Sequence, residues 1–379
     1  MEQEGNDAAR DLWSQMFERA AAHPGAAVMD SDYDPSEDDA RARAGFAAAG
    51  WSKDEIEALL TTGQRRNAAA PSTSPGVNPS AEAFHAVLCD EVEAEMARQG
   101  FESQSGVARG IEPITGPFAA KAGVIMTGQS IITVGAFTFR FCGLVAKAFH
   151  RTILLEPSYW QSERFTQDGA KLLLRMNMQL AFYWNRIFMS FAMSGTNATV
   201  PFEPADPAQV ALVEQVARAM ELFIVAHEYG HHHHGHGRQL ETDARAEEFE
   251  ADQFALRIGR PIGERDLSPI WNPYLASGSG GVIILKALEI LRRFEHALGA
   301  LMPIGKTHPS AEERILRFDS VAVIEPTMHA TLKGFRIASL RVMDTVGSLL
   351  DDFLGVMPEQ ERARLVAMRR ELWEQLPKL

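Results

Sequence analysis

Apolar residues recur with helical spacing over most of the chain from position 81 onward. The pattern predicts a helix that starts at 207–216 and runs into the HEYGH segment at 227–231, and further helices over residues 81–99, 137–151, 161–193, 241–258, 282–298, 311–318, 329–353 and 358–374. A flexible turn is predicted at Gly278–Gly281. The β-branched runs GVIM and IITV, between positions 111 and 134, are the best place for strands. The expected fold is therefore α+β and mainly helical, with one small sheet.

Residues 1–80 differ in character from the rest. Two helical pieces are predicted, over 7–22 and 40–60, and an acidic run, DSDYDPSEDD, separates them. The segment 67–80 is rich in Pro, Ser and Ala and is typical of a linker. We expect residues 1–80 to form a helical, partly disordered leader and residues 81–379 to form the main domain. The leader is either a poorly ordered extension or an element that docks a regulatory partner.

The apolar stretch at 119–149 is interrupted by Lys121, Gln129, Ser130, Arg140 and Lys147, so no clean run of about 20 apolar residues exists. We therefore expect no integral membrane segment. The first ten residues, MEQEGNDAAR, have neither the basic nor the apolar part of a secretory signal. With only two cysteines in the chain, a disulfide framework is not expected, and a cytoplasmic location is favoured.

The formal net charge is −13, and the chain has no block of Lys and Arg. Nucleic-acid binding has little support, because phosphate contacts need clustered cations. With 46% apolar residues, the chain can form a sizeable core.

The strongest chemical signal is the segment AHEYGHHHHGHG, which contains an HExxH motif. His227 and His231 are four residues apart, so on a helix both imidazoles share a face and can reach one metal ion. Glu228 lies beside that face, which suits a general base for water activated by the metal. The preceding ELFIVA is apolar and favours a buried helix. HExxH alone occurs by chance in many proteins, so the third ligand decides the interpretation.

The third ligand is predicted on the following helix. The pattern HExxHxxGxxH does not fit, because positions 234 and 237 hold His and Gly in the wrong order. The segment EEFEADQFAL offers Glu248 and Asp252, again four residues apart. Glu248 would ligate, while Asp252 would accept a hydrogen bond from a ligand imidazole and set its tautomer. Two His and one Glu leave a coordination position for water, as in catalytic zinc sites.

The histidines that follow the motif are predicted to be surface residues at the helix end, where a cation is favourable. A second metal-binding pair of His232 and His236, four apart, is the less favoured alternative. His233 and His234 have no assigned role.

HEYGH, EEFEAD and the later THPS-AEERI together resemble the gluzincin peptidases related to the CAAX prenyl endopeptidases and to the HtpX protease. The resemblance covers residues 208–318, and the chain is also similar to the cytosolic ImmA/IrrE and Lit-type proteases. It implies a zincin-like core in which an active-site helix and a glutamate helix carry the metal ligands. It also implies that His308 lies near the site and helps to hold substrate or the oxyanion, and that Arg314 is a structural cation behind the ligands.

These features predict a zinc-dependent endopeptidase that cuts a protein or peptide substrate, with Zn²⁺ as its cofactor. His308, Tyr229 and Tyr274 are candidate donors to the oxyanion. The alternative is a zinc-binding regulatory or scaffold protein with little turnover; the intact Glu228 argues against it.

Overall fold

The structure is a computed structural model that describes residues 7–21, scattered positions between 40 and 57, and residues 79–101, 106–112, 116–117, 119–124, 127–201, 209–237, 243–265, 271–300, 309–318 and 326–375. His308, the acidic run and most of the predicted linker lie outside these ranges. Within them, the predicted mainly helical α+β class is confirmed.

Helices make up most of the described chain. The elements are α1 (Asp7–Ala21), α2 (Pro79–Arg98), β1 (Val107–Glu112), β2 (Ala119–Gly123), β3 (Ser130–Gly135), α3 (Thr138–Ile153), α4 (Gln167–Met176), α5 (Met178–Ser194), α6 (Val210–His233), α7 (Ala244–Glu264), α8 (Pro273–Ala276), α9 (Ser279–Ala297), α10 (Ala311–Leu316), α11 (Pro326–Gly355) and α12 (Glu359–Gln375). A short 3₁₀ helix, Tyr159–Gln161, precedes α4.

The described strands form one three-stranded sheet in the order β1-β3-β2. β1 runs parallel to β3 with Val107 opposite Ser130, and β2 runs antiparallel to β3 with Ala119 opposite Val134. All six residues of β3 are buried, as expected of the central strand. β2 is an edge strand, and it packs beside α6.

Two predicted boundaries differ from the structure. The long helix predicted over 161–193 is two helices, because the backbone at Asn177 leaves the helical region (φ −108°, ψ 65°). The flexible turn predicted at Gly278–Gly281 is confined to Gly278, and Gly280 and Gly281 lie in the first turn of α9. A Cβ on Gly280 would come within 2.3 Å of the Ala219 backbone, so this glycine allows α9 to lie directly against α6.

Helix α1, from the predicted leader, packs on the sheet. Trp13 is 2% exposed and lies so close to Gly110 of β1 that a Cβ there would meet its ring at 2.1 Å. The backbone N–H of Ala9 donates a hydrogen bond to Gln129 at 2.8 Å. At least this part of residues 1–80 is therefore docked.

No helix in the described part of the chain is both long enough and apolar enough to span a membrane. Cys89 and Cys142 are both free and buried.

Candidate metal centre

The HEYGH segment forms the C-terminal part of α6, and the EEFEAD segment forms the start of α7. The two helices meet at Gly230, where a Cβ would lie 2.8 Å from the Ala251 Cα and 3.0 Å from the Phe254 Cβ. The glycine of the motif thus permits backbone contact between the helices. This close approach brings the Glu248 carboxylate to the histidine face of α6.

Three metal-donor atoms, one each from His227, His231 and Glu248, converge between these helices, and we call this group the donor triangle. The Nε2 atoms of His227 and His231 are 3.1 Å apart, and the Glu248 carboxylate oxygens lie 3.5 Å from the first and 3.6 Å from the second. A tetrahedral ion with bonds of about 2.0–2.1 Å separates its ligand atoms by about 3.4 Å. The geometry therefore fits one small cation, and these residues form a group that could hold a metal ion.

Two residues behind His227 set its orientation. Its Nδ1 faces Asp252 Oδ1 at 3.1 Å, so the Nδ1–H donates there, and a ring that has lost its Nε2 proton offers the Nε2 lone pair to a metal. Arg314 Nε and an Arg314 terminal nitrogen donate to the two Asp252 oxygens at 2.7 and 2.6 Å. Another Arg314 nitrogen lies 3.2 Å from Glu248. The single guanidinium thus links the Asp252 and Glu248 carboxylates.

His231 is oriented by a different residue, His236, whose role the sequence did not predict. Gly235 has φ +69°, the left-handed conformation that ends many helices. The N–H of His236 then bonds the carbonyl of His231 at 3.0 Å, and the N–H of Gly235 bonds that of His232 at 3.1 Å. This is the Schellman pattern, which folds the second residue after the helix back over its last turn.

The helix cap places the His236 ring against the His231 ring. The two Nδ1 atoms are 2.9 Å apart, and His236 Nε2 lies 2.9 Å from Glu250 Oε2. For His231 to present Nε2 to a metal, its Nδ1–H must donate to His236, whose Nε2–H then donates to Glu250. The carbonyl of His236 also accepts a hydrogen bond from the Lys121 ammonium of β2 at 2.6 Å.

Glu228 lines the same cleft as the two histidines but is not one of the three converging donors. It is 7% exposed, and among the described residues its carboxylate has no hydrogen-bond partner. Burial raises the pKa of Glu228 to about 7, with His227 opposing the shift. A carboxylate with a pKa near neutrality is suited to accepting and returning a proton.

The charges of the two histidines diverge. Burial alone would lower the pKa of His227, but hydrogen bonds from its ring to Asp252 and Glu248 outweigh burial and raise it to about 9. Burial, reinforced by the neighbouring His227, lowers the pKa of His231 to about 3. In the metal-free protein near neutral pH, these pKa shifts favour a positively charged His227 ring and a neutral His231 ring.

The donor triangle opens into a cleft of ≈ 440 Å³. Its apolar wall comes from α6 and α9, its opposite wall from the edge strand β2, and Arg292 and Arg314 add positive charge. The apolar lining includes Phe223, Ile224, Ile284, Leu285 and Leu288. The cleft thus combines an extended backbone edge, an apolar wall and the donor triangle.

Two of the three predicted oxyanion donors, Tyr229 and Tyr274, do not line this cleft. Tyr229 donates from its hydroxyl to Glu93 at 2.5 Å, and Tyr274 packs against Phe149 and Phe335. Neither tyrosine lines the described cleft, so neither is placed to donate to an oxyanion. Tyr229 points away from the cleft because it lies two residues after His227 and therefore about 200° around α6 from it. The position of His308 falls outside the described residues.

The prediction that the extra histidines are surface residues is wrong for two of the four. His232 is 4% exposed and its Nδ1 lies 2.8 Å from the Ser130 hydroxyl of β3, while His236 is 7% exposed. His232 and His236 therefore face different partners, because the cap at Gly235 redirects the chain. His233 stacks on Phe254, and His234 is exposed. Gly235 followed by His236, directly after the helix, was the sequence signal for the cap.

Comparison of the chain with protein-family models, with curated proteins and with solved structures gives no match.

Proposed function

We propose that this protein is a zinc-dependent endopeptidase of the gluzincin type, with His227, His231 and Glu248 as metal ligands and Glu228 as general base. The observation that carries the proposal is the donor triangle beside a buried Glu228 carboxylate that has no hydrogen-bond partner among the described residues. Two imidazoles and one carboxylate form a donor set that zinc accepts in hydrolytic enzymes.

A peptide substrate is supported by the cleft. β2 is the edge strand of the sheet and lines the cleft through Ala119, Ala120 and Lys121. An extended peptide can pair with such an edge through its backbone, while its side chains reach the apolar wall. This arrangement favours a peptide over a compact small molecule, because the cleft extends along the β2 strand and does not enclose a single chemical group.

Zinc bound by the three donor atoms would supply a Lewis acid that acidifies water and polarises a peptide carbonyl. The Glu228 carboxylate takes the proton of the attacking water and gives it to the leaving amine. Asp252 and Arg314 hold His227 and Glu248 in position. His308, which the resemblance implies near the site, is proposed as the donor that binds the oxyanion.

The proposal is tested with Glu228→Gln. We expect the variant to bind one zinc as tightly as the wild type, because Glu228 lies outside the donor triangle, and to lose cleavage. Zinc-loaded wild type and variant are incubated with a lysate of the source cells, and new N-termini are compared by mass spectrometry. Glu214→Gln, an exposed position of α6, is the matched control for the same chemical change.

Two outcomes would contradict the proposal. If Glu228→Gln produces the same new N-termini at the wild-type rate, Glu228 is not the base. If wild type and Glu228→Gln both bind zinc and neither produces new N-termini, the peptidase proposal is rejected, and the zinc-binding scaffold is the better explanation.

A further inference from the structure

A second cluster of potential metal ligands lies beside the first. His234, His236 and Glu250 each offer one ligand atom, and these three atoms lie within 4.8 Å of one another. His236 Nε2 and Glu250 Oε2 are already 2.9 Å apart, and the rings of His234 and His236 stack with centroids 5.3 Å apart. His234 and Glu250 are exposed, so their side chains are free to close the remaining distance around an ion.

We propose that His234, His236 and Glu250 form a second, weaker metal site, and that a metal bound there opposes metal binding by His227, His231 and Glu248. The donor set, two imidazoles and a carboxylate, suits Zn²⁺ and similar divalent transition-metal ions. Because two of its three ligands are exposed to solvent and must be ordered around the ion, the second site binds more weakly than the buried donor triangle and exchanges metal with solvent.

The opposition comes from the hydrogen bond between His231 and His236. When the first site holds a metal on His231 Nε2, the Nδ1–H of His231 donates to His236 Nδ1, and the Nε2–H of His236 donates to Glu250. A metal at the second site needs the lone pair of His236 Nε2. The proton of His236 must then reside on Nδ1, which faces His231 Nδ1 across 2.9 Å.

The protons balance without net uptake. The Nε2 proton of His236 leaves to water, the Nδ1 proton of His231 crosses to His236, and His231 gains a proton on Nε2 from water. His231 then has no lone pair on the nitrogen that points at Glu248 and at His227. The first site therefore loses one of its three ligands when the second site fills.

Thermodynamic linkage makes this coupling measurable from either side. If the second metal weakens the first, the first must weaken the second by the same factor. Disturbing a group that orients a metal-ligating histidine costs about 10–100-fold in affinity. We expect a coupling of at least that size, because here the ligand itself is lost.

The test uses the full chain and zinc alone as the probe. Metal-free protein is titrated with zinc against a chromophoric chelator, and bound zinc is counted by elemental analysis. We expect the wild type to bind one zinc tightly and a second one weakly. In His227→Asn, which disables the first site, we expect the second site to bind zinc about 10–100-fold more tightly than it does in the wild type.

Variants of the exposed ligands separate a built site from surface binding. His227→Asn combined with His234→Asn should lose the remaining zinc, whereas His227→Asn combined with His296→Asn should keep it. His296 is exposed at the end of α9 and provides the same chemical change away from the cluster. Circular dichroism of the metal-free variants checks that each is folded.

Three outcomes would overturn the inference. Zinc binding that survives the double change with His234→Asn is adventitious. The absence of a second zinc in both wild type and His227→Asn removes the site. Equal second-site affinity in these two proteins removes the coupling. The inference rests on the donor triangle binding metal but not on peptide hydrolysis, so failure of the Glu228→Gln test leaves these titrations valid.

Discussion

Replacing Gly230 by Ala tests whether contact between α6 and α7 positions the metal donors. The new Cβ would lie 2.8 Å from the Ala251 Cα and 3.0 Å from the Ala251 carbonyl oxygen. Neither neighbour is a side-chain tip that can rotate away, so the helices must separate by several tenths of an ångström. Glu248 is on α7 and both histidines are on α6, so any separation widens the donor triangle.

The magnitude follows from two opposing terms. Overpacking a close-packed contact costs about 1–3 kcal/mol. Replacing a glycine inside a helix by alanine otherwise raises the free energy of unfolding by about 0.5–1 kcal/mol. We therefore expect Gly230→Ala to lower the free energy of unfolding by about 0–2.5 kcal/mol. We also expect zinc affinity to fall about tenfold or more, because the ligand geometry is disturbed.

Gly143→Ala is the matched control. Gly143 lies inside α3, and a Cβ there would meet nothing within 4 Å. This variant should keep the zinc affinity of the wild type and gain about 0.5–1 kcal/mol in stability. Urea unfolding of the metal-free proteins and chelator competition give both quantities. If Gly230→Ala is as stable as Gly143→Ala and binds zinc equally well, the helix contact does not set the donor geometry.

Three further variants test other parts of the structure. Asp252→Asn should weaken zinc binding about 10–100-fold in chelator competition, because it loses the carboxylate that orients His227; unchanged affinity would refute that role. Burial raises the pKa of Glu221 to about 8, so the folded protein retains a proton that the unfolded chain releases above its ordinary pKa. Stability should therefore fall between about pH 4.5 and pH 8, by on the order of a few kcal/mol. Glu221→Gln should flatten this fall in urea unfolding, and an unchanged pH profile would contradict the assignment. Trp13→Ala should destabilise the docking of α1 by roughly 3–5 kcal/mol and speed hydrogen exchange in β1; unchanged exchange would show that α1 does not protect the sheet.

The spacing of residues along the chain predicted which residues form the donor triangle and that Asp252 supports it, whereas Arg314 was implied only by the family resemblance. His227 and His231 share a helical face because they are four residues apart, and the same spacing brings Glu248 and Asp252 to one face of α7. These relations depend on the helical repeat alone, which is a local property of the backbone. The mainly helical class followed from the apolar pattern for the same reason.

The environment of His231 and the cleft depended on packing. The lysine that bonds the His236 carbonyl is 115 residues away in the chain, and the wall of the cleft combines β2, α6 and α9. Gly280, predicted in a turn, lies instead where α9 touches α6. No local sequence pattern predicts such contacts, because they form only when elements distant in the chain pack closely against one another.

The sequence by itself determined which atoms can bind a metal, since helical geometry places them. The orienting role of Asp252 was also predicted, but only the tertiary structure decided that His236 orients His231. The backbone turns at Gly235 and places His236 against His231, so that a histidine predicted at the surface lies between two groups of residues that could each hold a metal ion.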